Sequence, residues 1–344
     1  MKILYLSHHW TNNSHHSKYS GFQRLVAEAA KSNEVTLVTW GAEDSKYQDE
    51  LGITVITVKA AGKDFLFKKR LDISKMGSQI AGNFDVVHSL YSDCTFHLQP
   101  NSYVVTFHVL PGVVDYTAWR QRVFINLKYW ILQKRAMRRS RQIACVSNNL
   151  VAGIPQKFKS KTRFIPHGVD TEFWNPEMCN ETTSPESRPY LLCVGSHGLD
   201  RTELEEFIGQ NPSMQFLLVG LGAYQGNHSN VQSLSNLSDE KLRSLYFHAE
   251  AVIRPLKFAT ANNSILEAMS MGKTIVTSRI SGVTDYLNDS TCVFIDTLGK
   301  KDLSQIAALK LDPRKIRSYA IENFSWKVIL GQYFRCYNGK TQDA

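Results

Sequence analysis

The sequence predicts an α/β protein made of two doubly wound, Rossmann-like domains. Three observations carry this. The 344 residues exceed what one ordinary core takes. Short apolar runs of strand length alternate with helical patterns, which implies parallel sheets. The alternation also occurs twice, separated by a stretch rich in Pro, Ser, Thr, Asn and Glu at residues 175–188 that reads as a linker.

In the first run, residues 2–7 form an apolar strand, 10–20 a polar loop and 21–31 a helix. Strands follow at 34–39 (EVTLVT), 53–58, 85–88 and 103–106, then a long basic helix and a strand at 142–146. The second run has strands at 189–194 (PYLLCV), 215–219 (QFLLV), 251–254 and 274–277. Its helices lie at 201–208 and 239–249, with another in SILEAMSMGK. There Ser264 is placed to cap, Ile265, Leu266, Ala268 and Met269 to bury one side, and Gly272 to end the helix. Phe324-Ser325-Trp326 opens a final helix after the second sheet is complete. The expected division is 1–170 plus a returning helix at 326–344, and 171–325. Such paired sheets are expected to enclose a cleft lined by loops at the carboxyl ends of the strands.

Composition narrows the class. No apolar run approaches the roughly 20 residues needed to span a bilayer. MKILYLSHHW is too short and polar for a secretion signal, so the expected location is cytoplasmic. The six cysteines are scattered without metal spacing and read as reduced, mostly buried thiols.

The net charge of +9 is concentrated. Between Tyr116 and Val169 there is no Asp or Glu but 12 Lys or Arg, interleaved with Trp119, Phe124, Tyr129, Trp130 and Ile131. Three readings are open: a basic face on anionic lipid, carried by Trp119, Arg135, Arg138 and Arg139; nucleic-acid binding; or a packed helix with solvated ends. No nucleic-acid motif accompanies the charge, so no nucleic-acid partner is expected. The lipid reading puts the protein peripherally on the inner face of the membrane.

Glu267 is a carboxylate about one turn into an otherwise apolar helix. A helix start attracts phosphate, and a carboxylate beside it accepts hydrogen bonds from ribose hydroxyls; a surface glutamate favoured by the helix dipole is the alternative. The loop after the first strand, SHHWTNNSHHSKYSG, has one glycine, Gly21, and lacks the G-x-G-x-x-G turn of dinucleotide enzymes. It is crowded with His8, His9, His15 and His16. Their irregular spacing, with no Cys or acidic residue nearby in sequence, favours an acceptor-lining or plain polar loop over a metal site.

Several segments together resemble the GT-B nucleotide-sugar glycosyltransferases, and within them the retaining glycosyltransferase family four. They are DVVHSLY, VVTFHVLPG, CVSNNL, FIPHGVDTEFWNP, LLCVGS, FLLVGLGA, LSDEKLRSLYFHAEAVIRPL, SILEAMSMGKTIVTS, GVTDYL and ENFSW, in family order over nearly the whole chain. The resemblance implies that Glu267 holds the nucleotide ribose as the second glutamate of an E-x7-E motif. It implies that His108 faces the transferred sugar or acceptor, and that Gly21 approaches the donor phosphates. The loop GSHGLDRTE, which includes Ser196, takes the diphosphate, with Arg201 as its basic candidate and His197 as a possible partner. The first motif glutamate is replaced by Ala259; Asn262, Asn263 and Ser264 are candidates for its lost hydrogen bonds. No Asp-x-Asp is present, so amides and cations such as Arg201 or Lys257 must stabilise the leaving group without a metal or other cofactor.

The implied activity is transfer of a sugar from a UDP- or GDP-linked donor to a lipid-linked or cell-surface saccharide, as in polysaccharide biosynthesis, with retention. His8, His9 and His15 are the candidate acceptor residues. Two other readings remain: a catalytically impaired GT-B module that partners another transferase, favoured by Ala259, and a sugar-nucleotide epimerase; Ala259 also leaves altered donor specificity and inversion in place of retention open.

Overall fold

The computed structural model describes residues 1–8, 10, 21–59, 68–111, 123, 126, 127, 129–179, 189–297 and 311–338. The chain divides into two compact units. One comprises Met1–Ser14, Phe22–Pro166 and Ile329–Ala344; the other comprises His15–Gly21 and His167–Val328.

The first unit holds eight strands: β1 (Lys2–Leu6), β2 (Glu34–Gly41), β3 (Ser45–Gln48), β4 (Thr54–Lys59), β5 (Val86–Ser89), β6 (Tyr103–Phe107), β7 (Gln142–Cys145) and β8 (Thr162–Phe164). Their order is β3-β4-β2-β1-β5-β6-β7-β8, parallel except for the antiparallel edge pair β3–β4. Central strands are buried on both faces, as continuous apolar runs such as ILYL require. Helix α1 (Phe22–Ala30) buries Phe22, Leu25, Val26, Ala27 and Ala29. Helices α2 (Lys68–Ile80), α3 (Lys134–Arg139) and α4 (Asn148–Gly153) complete the described helical set. Strand order reverses between β1 and β5, so the loops leaving these strands meet at a topological switch point.

From Ile329 onward, the last helix, Trp326–Tyr337, belongs to this unit. Tyr337 reaches His88 Nδ1 at 2.8 Å and Tyr5 Oη at 3.3 Å. His88 Nε2 meets Thr106 Oγ1 at 2.8 Å, and that hydroxyl meets Tyr333 Oη at 3.2 Å. Burial, then the charge of His108, pushes the His88 pKa down to about 3. The ring is thus a neutral structural element with a hydroxyl at each nitrogen.

The second unit holds β9 (Tyr190–Val194), β10 (Gln215–Val219), β11 (Val231–Leu234), β12 (Ala251–Arg254), β13 (Ile275–Thr277) and β14 (Cys292–Phe294). All pairs are parallel, in the order β11-β10-β9-β12-β13-β14, so its switch point lies between β9 and β12. Its helices are α5 (Arg201–Gln210), α6 (Asp239–His248), α7 (Asn263–Ser270) and α8 (Pro313–Phe324); the helix Trp326–Tyr337 is α9. Arg317 on α8 ties the unit together, donating to the carbonyls of Trp174 (3.0 Å), Ser270 (2.5 Å) and Thr171 (3.1 Å). None of the six cysteines is in a disulfide. No helix among the described residues is long and apolar enough to cross a membrane.

Candidate active site

In the second unit the loops after β9 and β12 lock together. Asp200 N donates to Pro255 O (2.9 Å), and Lys257 N to Gly198 O (2.9 Å). Gly198 has φ +70°, and a Cβ there would run into the Phe258 carbonyl, so only glycine allows this approach. Arg254, buried at the end of β12, donates to the carbonyls of Gly195 (2.6 Å) and His197 (2.7 Å). These bonds hold the Gly195–Leu199 turn from behind and leave Ser196 and His197 exposed at its tip. Arg254 is a positioning residue that sequence reasoning missed. Its signal was a charge ending the apolar run AVIR, where a surface cation would be out of place.

The expected cations have partners. Arg201 donates to Leu221 O at 3.0 Å, and Lys257 pairs with Asp200 at 3.4 Å, its side chain 59% exposed. Desolvation, then the Arg254 charge, lowers the His197 pKa. That opposes a cationic role for His197 on a diphosphate.

The cap of α7 is Asn262, not Ser264. Asn262 Oδ1 accepts from Ile265 N (3.4 Å), and the Ser264 hydroxyl donates to the same oxygen (2.6 Å). The Asn side chain reaches two residues further along the turn, which leaves Ser264 inside the helix as a brace. Asn263 is exposed at the helix start. Glu267 is buried, and its Oε2 accepts from Tyr246 Oη at 3.0 Å. Burial raises its pKa to about 7, against the opposing effect of the Tyr246 bond. Tyr246 also donates to Ser264 O (3.3 Å) and packs edge-on against Trp174 at 5.6 Å. Glu267 lines a pocket with Asn263, Leu266, Gly168, Val169, Trp174 and Gly21. Gly21, grouped with this unit, has φ +69°. Ala259 is buried, and its side chain carries no polar atom.

In the first unit His108 is half-buried after β6. Its Nε2 lies 3.0 Å from Leu90 O; its ring stacks on Tyr91 (4.8 Å, 24°) and meets Phe22 edge-on at 4.9 Å. His8, leaving β1, packs on the same Tyr91 ring at 4.3 Å. The expectation that no Cys or acidic group accompanies the first-loop histidines is corrected by the fold. β5 pairs beside β1, so Asp93 and Cys94 arrive next to His8. His8 Nδ1 is 3.3 Å from Asp93 Oδ1 and 3.6 Å from Cys94 Sγ, and Arg70 Nε binds Asp93 Oδ2 at 2.7 Å. Among the described residues these three form a group able to hold a metal ion. His9, His15 and Trp119 lie outside the described residues.

The basic segment differs from an all-cationic face. After a π-helical turn, Tyr129–Gln133, α3 turns Arg135 onto Phe96 O (3.2 Å) and Arg139 onto Leu98 O (3.0 Å). Both had been expected on a lipid-facing surface; unfilled carbonyls of the neighbouring loop claim them instead. Arg138 is exposed. Val123, Leu127, Trp130 and Ile131 are exposed apolar residues at helical spacing, and Lys134 Nζ sits 3.8 Å from the Trp130 ring centroid.

Two family models match the chain in sequence order: Glycosyltransferase Family 4 over residues 22–173, and Glycosyl transferases group 1 over residues 188–308. A curated relative, the MMP alpha-(1->4)-mannosyltransferase of Mycolicibacterium hassiacum, is 26% identical over 74% of this chain and 71% of its own. Among solved structures, sucrose-phosphate synthase from Thermosynechococcus elongatus superposes with a TM-score of 0.74 at 16% identity, covering 98% of both chains. Anabaena HepE in complex with UDP and glucose gives 0.69 at 12% identity, covering 98% of this chain and 99% of that one. WaaG, a glycosyltransferase involved in lipopolysaccharide biosynthesis, gives 0.66 at 14% identity, covering 98% and 100%. These structural likenesses speak to the fold.

Proposed function

Since the chain belongs to the GT-B glycosyltransferases of the family-four type, we propose that it moves a sugar from a UDP- or GDP-linked donor to a lipid-linked or cell-surface saccharide. The observation that carries this reading is Glu267: a buried carboxylate with a pKa of about 7, braced by Tyr246, lining a pocket beside a helix start. Few structural roles justify desolvating a carboxylate to that extent; accepting two ribose hydroxyls is one that does. HepE bound to UDP and glucose, and a relative named as a mannosyltransferase, support a nucleotide-sugar donor and a saccharide acceptor.

In the proposed reaction the anomeric carbon–phosphate oxygen bond breaks and a bond to an acceptor hydroxyl forms. The hydroxyl proton leaves with the nucleotide diphosphate. The Ser196 turn, the start of α7 with Asn262, Asn263 and Ser264, Gly21 and Arg201 stabilise charge on the departing phosphates. The absence of an Asp-x-Asp motif supports a transfer that uses no Mg2+ or Mn2+ on the diphosphate. His108, with His8, His9 and His15, serves the acceptor side. Retention follows from attack on the face that the diphosphate leaves. The apolar exposed set Val123, Leu127, Trp130 and Ile131, with Arg138 and Lys134, supports docking on the anionic inner face of a membrane.

Ala259 favours one other reading, a module that binds nucleotide sugar without transferring it. Incubating the protein with labelled UDP- and GDP-sugars and a membrane extract separates the readings. Label in the lipid or polymer fraction is expected. Binding without transfer would establish the module, and interconversion of the sugar without acceptor would establish an epimerase.

A further inference from the structure

His8, Asp93 and Cys94 bring an imidazole nitrogen, a carboxylate oxygen and a thiol sulfur within 4.8 Å of one another at the β1/β5 switch of the first unit. The separations are 3.3 Å (Nδ1 to Oδ1), 3.6 Å (Nδ1 to Sγ) and 3.8 Å (Sγ to Oδ1). A charge-assisted imidazole–carboxylate hydrogen bond closes to about 2.7–2.9 Å, so the first separation is long for a simple pair. Zinc bond lengths of about 2.05 Å to nitrogen, 2.1 Å to oxygen and 2.3 Å to sulfur predict the edges of a ligand tetrahedron. Those edges are about 3.4, 3.6 and 3.6 Å for the same three pairs. The observed triangle matches each edge to within about 0.2 Å, the tolerance expected of a metal site.

We propose that His8 Nδ1, Asp93 Oδ1 and Cys94 Sγ bind one zinc ion, leaving the fourth tetrahedral position for a further donor. The donor set selects the metal class. Thiolate with imidazole favours borderline-soft Zn2+ over hard Mg2+ or Mn2+. Groups around the ligands are placed as an outer shell. Arg70 holds Asp93 Oδ2 at 2.7 Å, which directs Oδ1 to the metal. Trp40 Nε1 donates to His8 O at 2.8 Å and fixes the backbone that carries the ring. Tyr91 covers one face of that ring. Binding replaces the thiol proton with the metal, so one proton passes to solvent per ion bound, and affinity falls as the pH is lowered. Thiolate and carboxylate together neutralise the ion, and Arg70 leaves the whole site singly positive. The site is separate from the diphosphate chemistry above; it shares His8 with the proposed acceptor side, and metal binding does not depend on that role.

The test uses the full chain, stripped of metal and titrated with Co2+. The expected result is one Co2+ per chain, with the visible bands of tetrahedral cobalt and a near-ultraviolet thiolate-to-cobalt band, all bleached by Zn2+ but not by excess Mg2+. Cys94→Ser should remove the near-ultraviolet band. His8→Ala, at a partly exposed position, should weaken binding at least tenfold with unchanged circular dichroism. The proposal is overturned if no cobalt binds, if it binds without a thiolate band, or if band and affinity survive either substitution.

Discussion

Glu267 and His88 are both buried titratable groups, one in each unit, and burial drives them in opposite directions. The carboxylate rises to about 7 and the imidazole falls to about 3, because a poorly solvated interior penalises the charged form of either. Their neighbourhoods differ in purpose. His88 has a hydroxyl on each nitrogen, so neutrality costs it nothing. Glu267 accepts from Tyr246 and lines a pocket, so its ionised form has spare acceptor capacity for a ligand. Burial alone therefore does not identify a functional group; acceptor capacity left over beside a pocket is the distinguishing feature.

The sharpest test of this contrast is acid stability. His88 stays neutral in the folded chain while the unfolded ring protonates below its ordinary pKa near 6.5. Stability is therefore lost as the pH falls from about 6.5 toward 3, by about 3–5 kcal/mol from this group. His88→Phe should cost about 2 kcal/mol at pH 7, from the lost hydroxyl bonds, yet flatten that acid slope. Urea denaturation between pH 3.5 and 7 measures both. An unchanged slope would show that the ring is protonated in the folded state.

Glu267→Gln should separate binding from stability. A raised carboxylate pKa means the folded state holds a proton that the unfolded state releases, so stability falls as pH rises from about 4.5 through 7. Gln keeps an acceptor for Tyr246 without the charge. The variant should be more stable than wild type at pH 8, by about 1–3 kcal/mol, with the gain shrinking to less than about 1 kcal/mol at pH 5. Its affinity for UDP or GDP should fall about 10- to 100-fold at pH 8 by calorimetry, the loss of a charged acceptor. Affinity of the unmutated protein should climb between pH 6 and 8 as the carboxylate ionises. A variant that binds every nucleotide as wild type does would remove Glu267 from the site.

His108 stands near His88 in the same unit but is half-buried beside Tyr91. His108→Ala should slow transfer about tenfold or more while leaving nucleotide affinity within twofold. Equal losses in both would place the ring at the nucleotide instead. The smallest effect belongs to the surface. Arg138→Glu with Trp130→Ala should weaken cosedimentation with anionic vesicles about fivefold or more, at roughly 1 kcal/mol per basic group. Neutral vesicles should bind poorly throughout; equal binding to both would make the segment ordinary packing.

The strands legible in the sequence were those whose burial wrote itself as continuous apolar β-branched runs, such as EVTLVT, QFLLV and AVIR. Those missed were edges. β3 reads SKYQ and alternates between half-buried and exposed; β11 reads VQSL with no fully buried residue; β8 and β14 have three residues each. Helix α2 opens with Lys68, Lys69 and Arg70 and buries only Ile73, Ser74 and Gly77, too few to set a period. In the site, the helix that carries Glu267 was readable because a helix start is a local signal, although its cap was read as Ser264 and is Asn262. Tyr246, Arg254 and the Asp93–Cys94 pair were not, since each acquires its role by meeting residues distant in the chain. Asp93 meets His8 only because β5 pairs beside β1.

The tyrosine network around His88 bears on the order in which the chain can fold. Tyr5 and Tyr337 share a hydrogen bond across 332 positions of sequence. Strands made first on the ribosome therefore await a helix that emerges only after the whole second unit has been synthesised. Until then His88 and Thr106 lack two of their hydroxyl partners, and closing so long a loop is entropically slow. A nascent chain stalled before Ile329 should leave the first unit protease-sensitive while the second is already protected. Of the two units, the one whose strands emerge earlier would then be the one that finishes folding later.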